Sequence, residues 1–171
     1  MSLYDRMVYH AQEKRSEPLV KPIWCEDASA WLGRGYYFWE DLRFAEWWGR
    51  SQKMRISGQF EIYKAHIRSE NILDTVFNRE HYEWWVSQVE KVAKVIKDKY
   101  GKKATLSQLN EYMMNRANWR EKIDGVLFQD LPRNEDFVLV QGLWYKKRIQ
   151  LVVYNADVIL SFTSISEKGK R

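Results

Sequence analysis

The chain has 171 residues, of which 45% are apolar and 15% aromatic, and its formal net charge is +5. This length and apolar content suit the core of one domain. No run approaches the roughly 18 consecutive apolar residues of a membrane span, and residues 1–9 carry Asp5 and Arg6 where a signal peptide would be apolar. Cys25 is the only cysteine, which excludes an intrachain disulfide. We therefore expect a cytoplasmic protein without a membrane partner.

The first part of the chain predicts two strands and one helix. Met7–His10 has the composition of a short strand, and the polar stretch Glu13–Pro22 is typical of a loop. Asp41–Arg50 is predicted to be a helix with Asp41 as its N-cap. Gly58–Ile67 is predicted to be a strand.

The second part predicts two helices followed by strands. Asn78–Tyr100 has apolar residues at the spacing of one buried helix face, and Gly101 can end this helix. Thr105 and Gln108 have the spacing of a capping box, which starts a helix reaching about Asn115. Strands are predicted at Gly125–Phe128, Asp136–Val140 and Arg148–Tyr154. This order, with helices in the middle and strands at both ends, indicates an α+β fold.

Nine tryptophans are unusual in a chain of this length, and Trp47-Trp48 and Trp84-Trp85 are adjacent pairs. Adjacent helical residues point about 100° apart, so at least one ring of each pair is expected at the edge of the core. A cleft wall, a partner surface and partial burial are all open for these rings. A helix that presents Trp84-Trp85 to a partner would suit a toxin–antitoxin or other interaction protein.

Four segments carry candidate site or core residues. They are Tyr9-His10-Ala11-Gln12, then Leu32–Phe38 with the helix residues Ala45-Glu46-Trp47-Trp48, then Ile72–Thr75 with Ile123–Phe128, and finally Ile149–Ile159. In this order they resemble the diphtheria-toxin-like branch of the ADP-ribosyltransferase superfamily, which includes the poly-ADP-ribose polymerases. The resemblance spans nearly the whole chain.

The resemblance implies split antiparallel sheets around a nucleotide cleft, with helices inserted mid-chain. Residues 1–162 would form one domain, and residues 163–171 would form a basic, flexible tail. NAD would be the substrate, its ADP-ribose would pass to an unknown acceptor, and nicotinamide would be released. An NAD glycohydrolase, which transfers ADP-ribose to water, is the same chemistry with a different acceptor.

The resemblance also implies which residues form the site. His10 would donate a hydrogen bond to a ribose hydroxyl, and Tyr37 would stack on the nicotinamide ring. Gly33 and Gly35 would permit a positive-φ turn and close backbone approach to the dinucleotide. Gln150 stands where the family usually has its catalytic Glu. The expected catalytic residues are therefore Gln150, His10 and Tyr37, and the expected NAD-binding residues are His10, Gly33, Gly35 and Tyr37, all at one cleft.

The chain departs from the family pattern at positions that bear on catalysis. Ala11 and Gln12 replace the small residue and the hydroxyl that usually follow the histidine. The Gln150 amide can hydrogen-bond a ribose hydroxyl, but it can neither offset positive charge nor act as a general base. Glu13 and Glu40 are the carboxylates nearest the motifs in sequence and could substitute. Otherwise orientation and desolvation alone drive the reaction, or the protein binds NAD without turning it over.

Arg148 precedes Gln150 by two residues, which places it on the same strand face. The arginine-modifying toxins of the superfamily have a Glu at this position. A guanidinium there would repel a target arginine, so we expect no transfer to arginine side chains.

Two further hypotheses come from other classes of protein. The first is a catalytically inactive module that binds NAD or ADP-ribose on the same fold. The second is a nucleic-acid-binding protein, since residues 144–148 and the tail mix basic and aromatic side chains. A zinc site is not expected, because His10, His66 and His81 are scattered and Cys25 is isolated.

Overall fold

The computed structural model describes residues 3–27, 30, 32–116, 118–130 and 148–165, and the strand predicted at Asp136–Val140 lies outside them. The described chain has a mixed α+β fold around one seven-stranded sheet. The strands are β1 (Tyr4–Glu13), β2 (Tyr36–Trp39), β3 (Phe60–Ser69), β4 (Ile72–Asp74), β5 (Gly125–Asp130), β6 (Arg148–Val153) and β7 (Ile159–Ser164). Their order is β4-β5-β6-β2-β1-β3-β7, and all neighbours are antiparallel except β4 and β5.

The sheet is nearly divided between β1 and β2. β1 pairs with β3 along its whole length, from Tyr4 opposite Ser69 to Glu13 opposite Phe60. β2 likewise pairs with β6 at every one of its four residues. In contrast, β1 and β2 share a single pair, Tyr9 opposite Trp39. The two halves therefore form one sheet, with an opening at its centre where separate sheets were expected.

The helices begin at the caps that the sequence predicts. They are α1 (Leu42–Trp48), a π-helical segment (Gly49–Lys53), α2 (Met54–Ser57), α3 (Arg79–Tyr100) and α4 (Leu106–Arg116). Asp41 caps α1 by accepting a hydrogen bond from the Arg43 N–H at 2.9 Å. The predicted capping box of α4 is confirmed, because Gln108 N–H donates to Thr105 Oγ1 at 3.2 Å and Thr105 N–H donates to Gln108 Oε1 at 3.0 Å.

The buried residues of the sheet fall into separate clusters. α3 and α4 cover one face, where Trp85 and Met113 pack with Val152 of β6. The next residues along β6, Leu151 and Val153, belong to a cluster on the opposite face. α1 adds a third cluster, in which its residues Phe44 and Ala45 pack with residues of β1, β2 and β3. α1 therefore lies beside the opening between β1 and β2.

Element bounds differ from the predictions in several places. The helical chain continues past Arg50 to Ser57, and the strand predicted at Gly58–Ile67 is Phe60–Ser69. The strand predicted at Met7–His10 is longer, because β1 has a full-length partner in β3. At the other end, β7 runs to Ser164, and Ile165 N–H donates to Ile62 O at 2.7 Å. The folded part of the chain therefore extends at least to residue 165, beyond the expected boundary at residue 162. No described helix is long and apolar enough to cross a membrane.

Candidate functional site

A cavity of about 360 Å³ lies where β1 and β2 separate. The described residues that line it are His10, Ala11 and Gln12 of β1; Tyr37 and Trp39 of β2; Gln150 of β6; Trp48 and Lys53 of the helical segment; and Ile23, Trp24, Cys25, Asp27 and Ala30. Pockets for small molecules usually measure about 300–1,000 Å³ and are mostly apolar with a few polar groups. This cavity has that character, and its size suits a nucleoside-sized part of a ligand.

His10 is buried, and its two ring nitrogens have different surroundings. Nδ1 lies 2.8 Å from the carbonyl oxygen of Tyr37, which can only accept, so Nδ1 carries the proton. Nε2 is buried and has no hydrogen-bond partner among the described residues, although the Gln12 side chain lies beside the ring. Burial lowers the pKa of His10, and the hydrogen bond to the Tyr37 carbonyl only partly opposes this. His10 is therefore a neutral ring with an unused acceptor at Nε2.

The expected donation from His10 to a ribose hydroxyl stays a prediction, on which the hydrogen bond at Nδ1 bears. A histidine that donates to a ribose hydroxyl needs a proton on the nitrogen that faces the ligand. Here the only proton of the neutral ring lies on Nδ1, which the Tyr37 carbonyl occupies. The acceptor of the neutral ring is Nε2, and this atom is buried in the structure.

The Tyr37 ring is held as one wall of the cavity. Its hydroxyl donates to the Gly33 carbonyl oxygen at 2.6 Å. Burial raises the pKa of Tyr37, and the neighbouring Cys25 and Asp27 raise it further. The phenol therefore stays neutral, and the ring can offer a planar surface for stacking without acting as an acid.

Gly33 and Gly35 are not among the described residues that line the cavity, and their predicted contact with the dinucleotide stays a prediction. Gly33 does have the predicted positive φ, at 80°. Gly35 does not; a Cβ there would come within 2.5 Å of Val152 Cγ2 and 3.0 Å of the Val153 carbonyl oxygen. These glycines shape the wall indirectly, since one turns the chain before Tyr37 and the other lets β2 approach β6.

Gln150 and Arg148 lie on the same face of β6 but differ in exposure to the cavity. Gln150 is opposite Trp39 in the strand register and lines the cavity. The Arg148 guanidinium is buried over two rings, 4.9 Å from the Trp47 centroid and 5.9 Å from the Trp39 centroid. Arg148 is not among the described lining residues. Arg148 therefore stabilises the tryptophan cluster beside the cavity through desolvated cation–π contacts.

The two carboxylates nearest the motifs in sequence are engaged elsewhere. Glu40 accepts a hydrogen bond from Arg6 at 2.8 Å, and Glu13 Oε2 lies 3.5 Å from Lys53 Nζ. Neither is among the described lining residues. Asp27 is the only carboxylate in the described wall, and it is exposed. It replaces Glu13 and Glu40 as the candidate for offsetting positive charge.

Sequence reasoning missed part of the wall. Trp24 and Cys25 come from a segment without periodicity, which is tied to β2 by a bridge between Cys25 and Gly35 with an N–O distance of 2.9 Å. Lys53 is the cationic residue of the described wall. Trp48 is different, because its adjacent-pair signal had marked it as a candidate cleft wall. Trp24, Cys25 and Lys53 carry no comparable signal in the sequence.

The arrangement combines aromatic walls, one histidine, two amides, one cation and one carboxylate among the described residues. Such a set can hold a nucleotide by stacking, ribose hydrogen bonds and phosphate attraction. No cluster of three or more His, Cys, Asp or Glu side chains that could hold a metal occurs in the described parts of the chain. Comparisons with protein-family models, curated proteins and solved structures return no match for this chain, so its function is argued from these side chains.

Proposed function

We propose that the protein is an ADP-ribosyltransferase that binds NAD in the cavity between β1 and β2. The observation that carries this proposal is that His10, Tyr37 and Gln150, which are far apart in sequence, line one cavity. The sequence resemblance assigns these three residues to NAD. That assignment requires the three side chains to share one cavity. Three residues without a common ligand would rarely do so.

The contacts support a specific way of holding NAD. The nicotinamide ring stacks on Tyr37, whose hydroxyl is already fixed by Gly33. A ribose hydroxyl donates to Nε2 of His10 once the side chains that cover this buried atom move aside. The pyrophosphate interacts with Lys53, whose present partner Glu13 is 3.5 Å away, a distance that leaves the ion pair easily exchanged.

The reaction breaks the bond between the nicotinamide nitrogen and C1′ of its ribose. The electron pair of that bond stays on the nitrogen, so the positive charge moves from the pyridinium to the ribose as an oxocarbenium ion. An acceptor nucleophile then bonds to C1′ and loses its proton, or water does so and gives free ADP-ribose. Gln150 orients the ribose hydroxyls, and the Asp27 carboxylate offsets the growing charge.

The neutral side chain at Gln150 favours a second candidate function on the same cavity. Asp27 is exposed, so solvent screens its charge and weakens any effect on the ribose. A protein with this wall could bind NAD or ADP-ribose tightly without cleaving the glycosidic bond. The second function is therefore an NAD-binding module without turnover.

The test is to titrate the purified protein with NAD by calorimetry and to measure released nicotinamide by mass spectrometry. Binding with nicotinamide release supports the transferase, and binding with intact NAD supports the module. His10→Ala and Tyr37→Ala should lose binding in both cases. His66→Ala is the matched control, because His66 does not line the cavity. Absence of binding at millimolar NAD, or equal binding by all variants without release, rejects a nicotinamide site.

A further inference from the structure

The basic charge of the chain is concentrated at the end of α3. Residues 91–103 contain six lysines and one aspartate, a net charge of +5, which equals that of all 171 residues. Removing these from the totals of 28 basic and 23 acidic residues leaves 22 of each for the rest of the chain. The excess is therefore local, and it lies away from the basic tail to which the sequence pattern had partly assigned it.

Two grooves border this stretch. One, of about 550 Å³, lies between the end of α3 and α4, and the other, of about 580 Å³, lies on the other side of the turn after α3. Lys103 lines both, so they form a continuous surface. The α3–α4 basic surface is defined by Lys94, Lys97, Tyr100, Lys102, Lys103 and Arg116.

The cations of this surface are available to a ligand. All five are exposed, and none makes an ion pair within 4.0 Å with a residue in the described ranges. The helix dipole accounts for a lysine in the last turn, such as Lys97. It does not account for Lys94, which precedes that turn, or for Lys102 and Lys103, which follow the helix.

Few acidic side chains oppose these cations. Asp98 lines one groove and Glu111 lines the other. Two carboxylates beside five cations leave a strong positive potential. Such a potential favours a polyanion over a single acidic side chain.

Aromatic rings accompany the charge. Tyr100 is 60% exposed at the end of α3, with Lys99 Nζ 5.1 Å from its ring centroid. Tyr112 lines the same groove, with Arg116 Cζ 6.0 Å from its centroid. An exposed ring among lysines, as at Tyr100, is the arrangement that binds unpaired bases by stacking and their phosphates by charge. A duplex would use the charges only, since its bases are already stacked.

We propose that the α3–α4 basic surface binds single-stranded nucleic acid, with phosphates along the lysines and a base on Tyr100. This site is separate from the cavity and does not depend on the proposed function, because binding is measured without NAD. Phosphate contacts supply a salt-dependent part of the affinity, and the ring supplies a part that salt does not affect.

The test uses a fluorescently labelled single-stranded DNA of mixed sequence, and anisotropy is measured from about 50 to about 200 mM salt. The variant Lys94→Gln/Lys97→Gln/Lys103→Gln should bind about tenfold or more weakly at about 100 mM salt. Its slope of log affinity against log salt should be shallower by about 2. Lys14→Gln/Lys21→Gln/Arg55→Gln removes equal charge from exposed positions elsewhere and should bind within about twofold of the starting protein.

Tyr100→Ala distinguishes a single-strand site from a general polyanion site. It should weaken binding about fivefold or more with an unchanged salt slope, and an unlabelled duplex should compete less well than the single strand. Absence of binding at low salt overturns the proposal. So does an equal loss in the control variant, which would indicate diffuse charge, or normal binding by Tyr100→Ala, which would indicate a surface that reads charge alone. Circular dichroism confirms that the variants, all at exposed positions, remain folded.

Discussion

At residue 150 a neutral amide faces the cavity at the place where the proposed reaction develops positive charge. Transition states of glycosidic bond cleavage have oxocarbenium character, and a nearby carboxylate is the usual stabiliser. Two accounts follow for Gln150. Either no side chain offsets the charge and cleavage is slow, or Asp27 of the cavity wall supplies the carboxylate.

Gln150→Glu separates these accounts, because the change is close to isosteric and adds one carboxylate. If none acts at present, nicotinamide release should rise by about tenfold or more. If Asp27 already acts, a second anion near the ribose should leave the rate flat or lower it, and Asp27→Asn should reduce it by about tenfold. Glu83→Gln is the control for loss of a carboxylate away from the cavity, because Glu83 pairs with Arg79 on α3. Unchanged release in both Gln150→Glu and Asp27→Asn would contradict charge stabilisation by either residue.

His10 should make stability depend on pH in a defined direction. Burial lowers its pKa in the folded protein, whereas an unfolded histidine has a pKa of about 6.5. Below pH about 6.5 the unfolded state therefore binds a proton that the folded state does not bind. The free energy of unfolding falls as a result. Above that pH both states are neutral, and His10 adds no pH dependence.

The measurement compares urea unfolding of the starting protein and His10→Gln, followed by tryptophan fluorescence. The free energy of unfolding should fall more steeply for the starting protein than for His10→Gln as the pH decreases from about 7.5 to about 5. Groups that both proteins share, such as the His66–Asp5 pair, cancel in this comparison. Equal slopes would show that His10 titrates in the folded protein as it does in the unfolded chain.

At the scale of elements, the contact between β2 and β6 depends on Gly35. A Cβ at this position would lie 2.5 Å from Val152 Cγ2, closer than packed atoms allow. Gly35→Ala should therefore destabilise the protein by about 1–3 kcal/mol in thermal or urea unfolding. Adding Val152→Ala should recover part of this loss, because it removes the clashing methyl group.

Gly58→Ala is the control for this prediction. Gly58 has φ of 75°, and a Cβ there would meet nothing within 4 Å. It should cost only about 1–2 kcal/mol of backbone strain and leave NAD binding unchanged. Gly35→Ala should also weaken NAD binding, since β2 carries Tyr37. A smaller loss in Gly35→Ala than in Gly58→Ala would argue against close packing as the reason for the glycine.

The elements that sequence predicts correctly are those with local signals. Asp41 caps α1 and Asn78 caps α3 through contacts within two or three residues, and such contacts are readable from spacing. Residues 23–27 have no local signal. Their place follows from the bridge between Cys25 and Gly35, which depends on β2 already lying against β6. Strand ends also lack a local signal, because the length of β1 is set by its pairing with β3.

At the scale of the whole molecule, a cleft shared by His10, Tyr37 and Gln150 was predictable from motif order, but its place within one continuous sheet was not. Pairing between β1 and β2 is limited to one residue pair, so packing must hold the centre of the sheet. The described contacts show the source: Trp39 packs against Trp48 and Phe44 of α1, with ring centroids 6.1 Å apart in each case. Aromatic side chains thus replace backbone hydrogen bonds, which accounts for part of the tryptophan surplus.

This construction predicts where a ligand changes local stability. NAD in the cavity would contact β1 and β2 together, so openings that separate the two halves of the sheet become incompatible with binding. At NAD about tenfold above its dissociation constant, such openings become about tenfold rarer. Hydrogen exchange measured by mass spectrometry should then slow by about that factor in peptides spanning residues 9–13 and 36–39.

Peptides from α3 are the internal control, because none of its residues is among those that line the cavity in the described structure. His10→Ala, which removes the Nε2 acceptor, should abolish the NAD effect at the same ligand concentration. Uniform slowing across all peptides would mean that the sheet opens only by global unfolding. In that case the single β1–β2 residue pair and the aromatic side chains of α1 would hold the two halves as firmly as a complete set of strand hydrogen bonds. Slowing confined to α3 and α4 would place NAD outside the opening and would contradict the proposed site.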